Sequence, residues 1–325
     1  MSQSQFVSKC TIDALQKAAQ TLLEGNLVAF PTETVYGLGA DALNKQAVAR
    51  VYEVKGRPTD HPLIVHLHSM RVMGQWVDDV PEYAIALARD FWPGPMTLIF
   101  KRSSLAQDFI TGGQGTVGIR IPDHTVALAL LEAFHNLGGR GVAAPSANRF
   151  GHVSPTTAKA VSEELAQYLK PEDQIMDGGP CSVGVESTII DCTGQLPRIL
   201  RPGAITEEMI KESTGLTELA PTTSTDETPR VSGSFEKHYA PAAKVLLDQT
   251  PVAGQGFIAS SRRVTPIGVT RLAAPKNADE FARDLYTALR KADELGLQEV
   301  VVEQPQGDGI AIAIRDRLAR ASAGR

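Results

Sequence analysis

Two cations stand at the start of the segment KGRPTDHPLIVHL, where a predicted helix gives way to an apolar strand. Apolar residues at helical spacing predict a helix over 45–54, and Gly56 is suited to end it. Lys55 therefore lies at a helix end, where a cation often does no more than complement the negative end of the helix dipole. A binding role for Lys55 and Arg57 requires other groups of suitable chemistry close to them.

Hydroxyl, amide and guanidinium groups recur at the ends of other predicted strands. Each has an ordinary explanation alone, such as a turn, a helix cap or a solvated strand face. Because open α/β sheets bind ligands beyond the carboxyl ends of their strands, we expect these groups to meet there. Together they suit a small anionic ligand, most naturally a triphosphate beside a carboxylate. The groups belong to Thr32, Thr34, Thr116, Arg120, Ser146, Asn148, Ser154, Ser187 and Arg201.

The familiar motifs for nucleotide, metal or nucleophile chemistry are incomplete, lie in the wrong sequence context or are absent. GQGTVG (113–118) precedes a strand, so it cannot present a helix N-terminus to a pyrophosphate. GLGADA (37–42) begins several residues after a strand and lacks the acidic partner of a dinucleotide site. His66 and His68 share a strand face, but no third ligand follows a recognisable pattern, so we expect no protein metal site. No P-loop, GxSxG or CxxC motif occurs.

Length and composition narrow the class of protein. The 325 residues favour two domains, and the net charge of −5 argues against a broad surface for duplex nucleic acid. Three cysteines form no CxxC pair and no even disulfide framework, which fits a reducing compartment. The first ten residues lack a hydrophobic core segment and no apolar run approaches the length of a membrane span. We therefore predict a soluble cytoplasmic protein without a membrane partner.

Short apolar segments alternate with amphipathic ones from about residue 11 to residue 214, which predicts helices packed on a mostly buried sheet. The predicted helices lie between Thr11 and Gly25 and over 45–54, 82–91, 125–136 and 155–169. The predicted strands lie within 26–30, 62–67, 96–102, 116–122, 141–145, 186–191 and 197–203.

The composition changes at PTTSTDETPRVSGS (221–234), which is rich in hydroxyls, proline and glycine and reads as a linker. Beyond it, two apolar segments, a long helix over 279–295, a strand over 299–304 and a final helix from Gly309 predict a small second α/β domain. The predicted division is a catalytic domain at 1–210, a linker at 211–241 and a C-terminal domain at 242–325.

Seven segments, in their order along the chain, resemble the Sua5/YrdC/YciO family, the threonylcarbamoyl-AMP synthases. They are FPTETVYGLGADA, KGRPTDHPLIVHL, FWPGPMTLIF, TVGIRIPDH, AAPSANRFGHVSPT, DGGPCSVGVESTIID and ILRPGAIT. The resemblance covers nearly all of residues 11–206, and HYAPAAKV and GDGIAIAIRDRLARA look like parts of the smaller Sua5 domain of the longer form. It implies an α/β fold with a YrdC-like twisted open mixed sheet and flanking helices, followed by a smaller Rossmann-like α/β domain.

The family's reaction accounts for the groups found above. The resemblance implies a nucleotidyltransferase, an L-threonylcarbamoyladenylate synthase, that makes threonylcarbamoyl-AMP and pyrophosphate from L-threonine, bicarbonate or CO2, and ATP. Mg²⁺ is expected on the phosphates. A downstream threonylcarbamoyl-transferase complex would then modify adenosine 37 of tRNAs reading ANN codons, so this chain would touch tRNA only indirectly or weakly.

The resemblance also assigns roles to individual residues. Lys55 and Arg57 are the implied catalytic pair, stabilising charge on the α-phosphorus and the departing pyrophosphate. His66 is the one candidate proton acceptor, and catalysis otherwise rests on positioning and electrostatics. The implied nucleotide-binding residues are Lys55, Arg57, Thr116, Ser146, Asn148, Ser154, Arg201 and Tyr239. The implied threonine-binding residues are Thr32, His66, Arg120, Ala144 and Ser187.

The linker departs from the family pattern. Longer members carry a PGMKYxHYAP type of linker, whereas this chain has VSGSFEKHYAP, which keeps His238 and Tyr239 but not the proline, methionine and first tyrosine. Residues 231–241 are therefore interpreted either as a lid over the site or as a passive tether.

Two other functions compete with the synthase. A non-catalytic RNA-binding module of the same fold would use a basic groove, but the acidic net charge and the absence of interleaved aromatic residues argue against it. A different acyl-adenylate or carbamoyl-transfer enzyme, such as a hydrogenase maturation protein, would carry additional zinc-finger or acylphosphatase modules. The sequence shows neither module.

Overall fold

The computed structural model describes residues 6–221, 228–233 and 239–324. The helices in these residues are α1 (Ile12–Leu23), α2 (Lys45–Lys55), α3 (Glu82–Phe91), α4 (Asp108–Thr111), α5 (Thr125–Asn136), α6 (Ala158–Leu165), α7 (Glu207–Thr214), α8 (Ala278–Glu294) and α9 (Ile310–Ser322). The first ten strands are β1 (Val7–Lys9), β2 (Val28–Phe30), β3 (Gly37–Asp41), β4 (Ile64–His66), β5 (Met96–Lys101), β6 (Thr116–Arg120), β7 (Val142–Ala143), β8 (Gln174–Asp177), β9 (Thr188–Asp191) and β10 (Arg198–Arg201). The remaining strands are β11 (Lys244–Leu247), β12 (Gly256–Ile258), β13 (Thr270–Ala273) and β14 (Glu299–Val302).

The strands form two sheets. The larger is mixed and has the order β1-β8-β2-β3-β7-β4-β6-β5-β9-β10, whereas the smaller is parallel throughout and has the order β11-β14-β12-β13. Helices α8 and α9 contribute buried residues to one cluster with one face of the small sheet. The α/β class with a large mixed sheet and a smaller second α/β unit is confirmed.

Helix α2 forms as its sequence predicts. The side chain of Asn44 accepts hydrogen bonds from the amides of Gln46 and Ala47, and Gly56 ends the helix at φ 60° in the left-handed region. The predicted helix over 155–169 is shorter than expected, because the carbonyl of Pro155 accepts a hydrogen bond from the Tyr36 amide before helix α6 begins.

Strand β3 arises from GLGADA, which the sequence analysis considered only as a failed dinucleotide motif. It pairs antiparallel with β2 and β7. A Cβ atom at Gly39 would lie 2.8 Å from Val142 Cγ1 and 2.9 Å from a ring carbon of Phe30. Glycine is therefore needed here for close packing against the sheet. Strands β1, β8 and β13 and helices α4 and α7 were also missed, since short elements give weak periodic signals.

The two sheets are joined by a shared hydrophobic cluster. Val153 and Val185 from the loops of the large sheet pack with Phe281 and Leu285 of α8. The contact is close, because a Cβ atom at Gly184 would lie 2.4 Å from the Cα of Arg283. Within the described ranges, no helix is both long enough and apolar enough to span a bilayer.

Candidate functional site

A recess of about 530 Å³, part of it open to solvent, lies at one edge of the large sheet. Because the sheet is mixed, the recess receives residues both from the ends of strands such as β6 and β10 and from the starts of strands such as β3 and β9. The sequence expectation of strand carboxyl ends alone was therefore too narrow. Its lining residues are Thr32, Val35, Tyr36, Gly37, Arg57, Ile64, His66, Arg120, Ala144, Pro145, Ser146, Glu186, Ser187, Arg201, Ser232, Gly233 and Tyr239.

Arg120 and His66 form one wall of the recess. They are register partners at the ends of the parallel strands β6 and β4. Arg120 Nη2 donates to Thr34 Oγ1 at 2.8 Å and lies 2.8 Å from Glu33 Oε1. Arg120 Nε and His66 Nδ1 are buried and make no hydrogen bond within the described residues. Such unpaired buried atoms are uncommon, and both residues line the recess.

His66 is a neutral imidazole near neutral pH. Burial, and next the charge of Arg120, lower the pKa of His66 to about 3. An efficient general base has a pKa near the working pH, so the predicted role of His66 as proton acceptor does not fit its environment. Its geometry suits a hydrogen bond to a substrate instead.

Arg201 and Ser187 form the opposite wall. Arg201 Nε and Nη2 donate to the Ser187 carbonyl at 3.1 and 2.9 Å, and Nη2 also donates to Ser187 Oγ at 3.1 Å. Arg201 Nη1 donates to the carbonyl of Ser232 at 2.8 Å, and the Ser187 and Thr97 hydroxyls are 2.8 Å apart. These bonds fix a buried guanidinium in the wall of the recess.

Arg57 lies in the recess, but Lys55 lies behind its wall. Arg57 Nη2 donates to the Pro62 carbonyl at 3.0 Å and to Ser232 Oγ at 2.9 Å. Burial lowers the pKa of Arg57 to about 10, so the guanidinium remains charged near neutral pH. The Nζ atom of Lys55 donates to the carbonyls of Ser146 and Asn148 at 2.5 and 2.6 Å. Lys55 therefore holds the 146–148 loop, and the predicted direct contact with phosphates requires this ammonium to leave those carbonyls.

The structure does not bring Thr116, Asn148 and Ser154 into the lining. Thr116 lies in a neighbouring groove that shares Ser232 with the recess. Asn148 Nδ2 donates to the carbonyls of Arg149 and His152 at 2.7 and 2.8 Å, which shapes the loop. Ser154 Oγ donates to a carboxylate of the lining at 2.6 Å. The side chains of these three residues thus support the recess or lie beside it.

The linker supplies part of the lining. Ser232, Gly233 and the buried Tyr239 line the recess, and Tyr239 has φ 63°, which is uncommon for a residue with a side chain. Of the predicted lid over 231–241, residues 234–238, including His238, lie outside the described residues. The remaining residues bring the linker to the site in this conformation.

Glu186 is the main lining residue that the sequence analysis missed. Its carboxylate accepts hydrogen bonds from Ser154, from Tyr286 at 2.8 Å and from Arg317 Nε at 2.8 Å. The sequence feature that could have identified Glu186 as a lining residue was its position next to Ser187 in GVESTIID. The sequence could not show that this carboxylate is neutralised, because its countercharge, Arg317, lies 131 residues further along the chain.

Comparisons with known proteins agree over both parts of the chain. A family model for the Sua5, YciO and YrdC proteins, described as "Telomere recombination", matches residues 20–203. A second model, described as "Threonylcarbamoyl-AMP synthase, C-terminal domain", matches residues 205–323.

Curated relatives and a solved structure match at nearly full length. The threonylcarbamoyl-AMP synthase of Pyrococcus abyssi is 40% identical, with 94% of this chain and 93% of the relative covered. The one from Bacillus subtilis is 38% identical, with 96% and 93% covered. The crystal structure of P. abyssi Sua5 complexed with L-threonine matches with a TM-score of 0.86 and 37% identity, covering 98% of this chain and 96% of that one.

Proposed function

Because the chain belongs to the Sua5/YrdC/YciO family of threonylcarbamoyl-AMP synthases, we propose that it makes threonylcarbamoyl-AMP and pyrophosphate from L-threonine, bicarbonate or CO2, and ATP. One observation carries the proposal. The recess gathers three buried guanidinium groups, and two of them, Arg57 and Arg120, retain an Nε atom without a hydrogen-bond partner in the described residues. Such a recess suits two anionic substrates held side by side.

The wall formed by Arg120 is proposed to bind L-threonine. Arg120 would grip the substrate carboxylate with its guanidinium, while the ion pair with Glu33 keeps the guanidinium in place. The remaining polar groups of this part of the lining would read the amine and hydroxyl of the substrate. They are the Thr32 hydroxyl, the His66 imidazole and the Ala144 carbonyl, and the Ser187 hydroxyl would reach the substrate from the opposite wall. The P. abyssi protein that was crystallised with L-threonine supports this choice of amino acid.

The opposite side is proposed to bind ATP. Arg57 and Arg201 would hold the phosphates, with Ser146 and Tyr239 completing this side of the recess. Lys55 contributes by fixing the 146–148 loop through two carbonyls. Asn148 and Ser154 would act in the same indirect way, whereas Thr116 would reach a ligand that extends into the neighbouring groove.

In the proposed mechanism, the threonine amine attacks CO2, forming an N–C bond and releasing a proton to solvent or bicarbonate. A carbamate oxygen then attacks the α-phosphorus, and the bond to pyrophosphate breaks. Arg57 and Arg201 stabilise the charge that builds on the phosphate oxygens. The neutral His66 orients the substrate, and catalysis rests on positioning and fixed charge.

A divalent cation such as Mg²⁺ needs oxygen ligands that are free to coordinate it. The part of the chain that the structure describes contains no group of three or more His, Cys, Asp or Glu residues able to hold a metal. The carboxylate in the lining, Glu186, is already occupied by three donors. Mg²⁺ would therefore arrive as part of the Mg·ATP substrate, where it offsets phosphate charge.

The cellular setting follows from the same family membership. We propose that the product passes to a threonylcarbamoyl-transferase complex for the modification of adenosine 37, and that the protein is cytoplasmic. The free cysteines Cys10, Cys181 and Cys192 support a reducing compartment. We also propose the domain division 1–210, 211–241 and 242–325, which the family matches at 20–203 and 205–323 support only approximately.

The proposed activity can be tested by incubating the purified protein with labelled bicarbonate, ATP and L-threonine. We expect labelled threonylcarbamoyl-AMP and one pyrophosphate for each product molecule, and neither when threonine is omitted. Equal product with serine or valine would refute threonine specificity. RNA binding that depends steeply on salt and that ATP does not displace, without any adenylate product, would favour the RNA-binding module instead.

A further inference from the structure

Arg317 on helix α9 is a fully buried cation that links the second domain to the back of the recess. Its Nε atom donates to Glu186 Oε2 at 2.8 Å and its Nη2 atom donates to the carbonyl of Pro202 at 3.0 Å. Its Nη1 atom donates to Asp316 on the same helix. A buried guanidinium is stable only when its charge and donors are satisfied, and here most of the partners belong to the first domain.

The two first-domain partners of Arg317 flank the Ser187–Arg201 pair. Glu186 directly precedes Ser187, and Pro202 directly follows Arg201. Since Arg201 itself donates to the Ser187 carbonyl and hydroxyl, Arg317 secures both chain segments that hold this pair. A residue of the second domain thus contacts both chain segments that hold the buried Arg201 guanidinium.

Glu186 would be unfavourable in a phosphate site if it were unpaired. Burial alone would raise the pKa of Glu186, but the charges of Arg317 and then Arg201 outweigh burial and lower it to about 2. The carboxylate is therefore ionised. Without Arg317, the remaining neighbouring cation is Arg201, which would be drawn toward Glu186 and away from a nucleotide.

The second domain also holds the linker tyrosine. The Tyr239 ring stacks on the Tyr286 ring of α8, with centroids 5.8 Å apart, and the Arg317 guanidinium carbon lies 5.3 Å from the Tyr239 centroid. The Tyr286 hydroxyl donates to Glu186. The same two side chains therefore hold both Glu186 and Tyr239, which line the recess.

We propose that Arg317, assisted by Tyr286, is a positioning residue through which the second domain completes the nucleotide half of the recess. It neutralises Glu186, leaves Arg201 available to phosphates and fixes the Tyr239 ring. This inference rests on the proposed function for the identity of the nucleotide, but not for the coupling between the domains.

The test is a double-mutant cycle of Arg317→Met and Glu186→Gln, read out by calorimetric ATP affinity and by the KM values for ATP and threonine. Arg317→Met should weaken ATP binding about 10-fold and raise the threonine KM less, because Glu186 then competes for Arg201. Adding Glu186→Gln to this variant should restore most of the ATP affinity. Arg315→Met is the matched control, since Arg315 lies on the same helix but donates to Pro305 within its own domain.

A packing role alone predicts different results. Unchanged ATP affinity in Arg317→Met, or equal loss for ATP and threonine with no recovery in the double variant, would overturn the inference. Should Arg317→Met fail to fold, the comparison of the double variant with Glu186→Gln alone decides the question, and a large additional ATP defect in the double variant would contradict the proposal. Because calorimetry needs no turnover, wild-type protein that binds ATP but forms no threonylcarbamoyl-AMP would refute the proposed function and not this coupling.

Discussion

Arg120 is a buried guanidinium whose orientation is fixed before any substrate carboxylate binds. Its position at the end of β6 is fixed by Glu33 and Thr34, and its Nε atom remains unpaired within the described residues. Each charge-assisted hydrogen bond of this kind contributes on the order of 1.5–3 kcal/mol. The planar guanidinium provides paired donors, which an ammonium group cannot reproduce.

Arg120→Lys should therefore raise the KM for threonine by about 10-fold or more and change the KM for ATP much less. Steady-state kinetics with each substrate varied in turn would measure both values. Arg102→Lys provides the control, since Arg102 pairs with Asp108 near the surface and outside the recess. An equal rise in both KM values would argue against a specific contact with threonine.

His66 links the site to the pH dependence of stability. Its pKa is about 3 when folded and about 6.5 in a model peptide, so between these values the unfolded chain binds more protons. The contribution of neutral His66 to the free energy of unfolding is complete above about pH 6.5 and decreases as the pH drops toward 3. In this range the free energy of unfolding changes by at most about 1.4 kcal/mol per pH unit because of this group.

Replacing this histidine with an uncharged residue should flatten that slope. Denaturant unfolding of His66→Asn and of the wild type, compared between pH 7 and pH 4.5, would measure the difference. His135→Asn, at the partly buried end of α5, serves as the control. Parallel pH profiles for wild type and His66→Asn would show that His66 titrates as an exposed histidine does.

The glycines of strand β3 allow the large sheet to pack closely at the recess. Gly37 lies in the lining, and a Cβ atom there would be 3.3 Å from the Cβ of Ala144. A Cβ atom at Gly39 would also lie 3.1 Å from the Val28 carbonyl, which belongs to the paired strand β2. These glycines were first considered as a dinucleotide motif, and their observed environment is the interior of a sheet.

Gly39→Ala should destabilise the protein by about 1–3 kcal/mol, because neither the strand nor the packed side chains can move away freely. Gly115→Ala is the matched control, since nothing lies within 4 Å of the added atom. Chemical denaturation would give the free energies of unfolding for both variants. A Gly39→Ala protein as stable as the control would mean that β3 shifts to accept the methyl group.

Local patterns explain which elements could be predicted from the sequence. Helices α2, α3 and α5 were predicted almost to the residue, since apolar spacing is encoded within each segment and side-chain caps also begin α2 and α5. The lining residue Glu186 was not predicted, because its role depends on Arg317, which lies 131 residues further along the chain. Motif resemblance marked Lys55 but could not show that its ammonium faces the loop carbonyls.

The linker forms part of the recess, and the second domain contacts the loops behind it. The described linker residues line the recess, and Arg290 of α8 pairs with Glu164 of α6 at 3.0 Å. The second domain therefore contributes to the surroundings of the recess beyond the linker. Its helices also contact the loops that hold Glu186 and Val153.

Tyr239 joins these parts, because its ring lies between the recess and the Tyr286 ring. Tyr239→Ala should open the recess to water, so that some ATP is hydrolysed without forming threonylcarbamoyl-AMP. The ratio of ATP consumed to threonylcarbamoyl-AMP formed should then rise above one, whereas Tyr239→Phe, which keeps the ring, should stay near one. Tyr168→Ala, at an exposed tyrosine, controls for loss of an aromatic ring. A ratio that remains at one in Tyr239→Ala would leave the linker as a passive tether, because sealing by the ring is the physical basis of the lid.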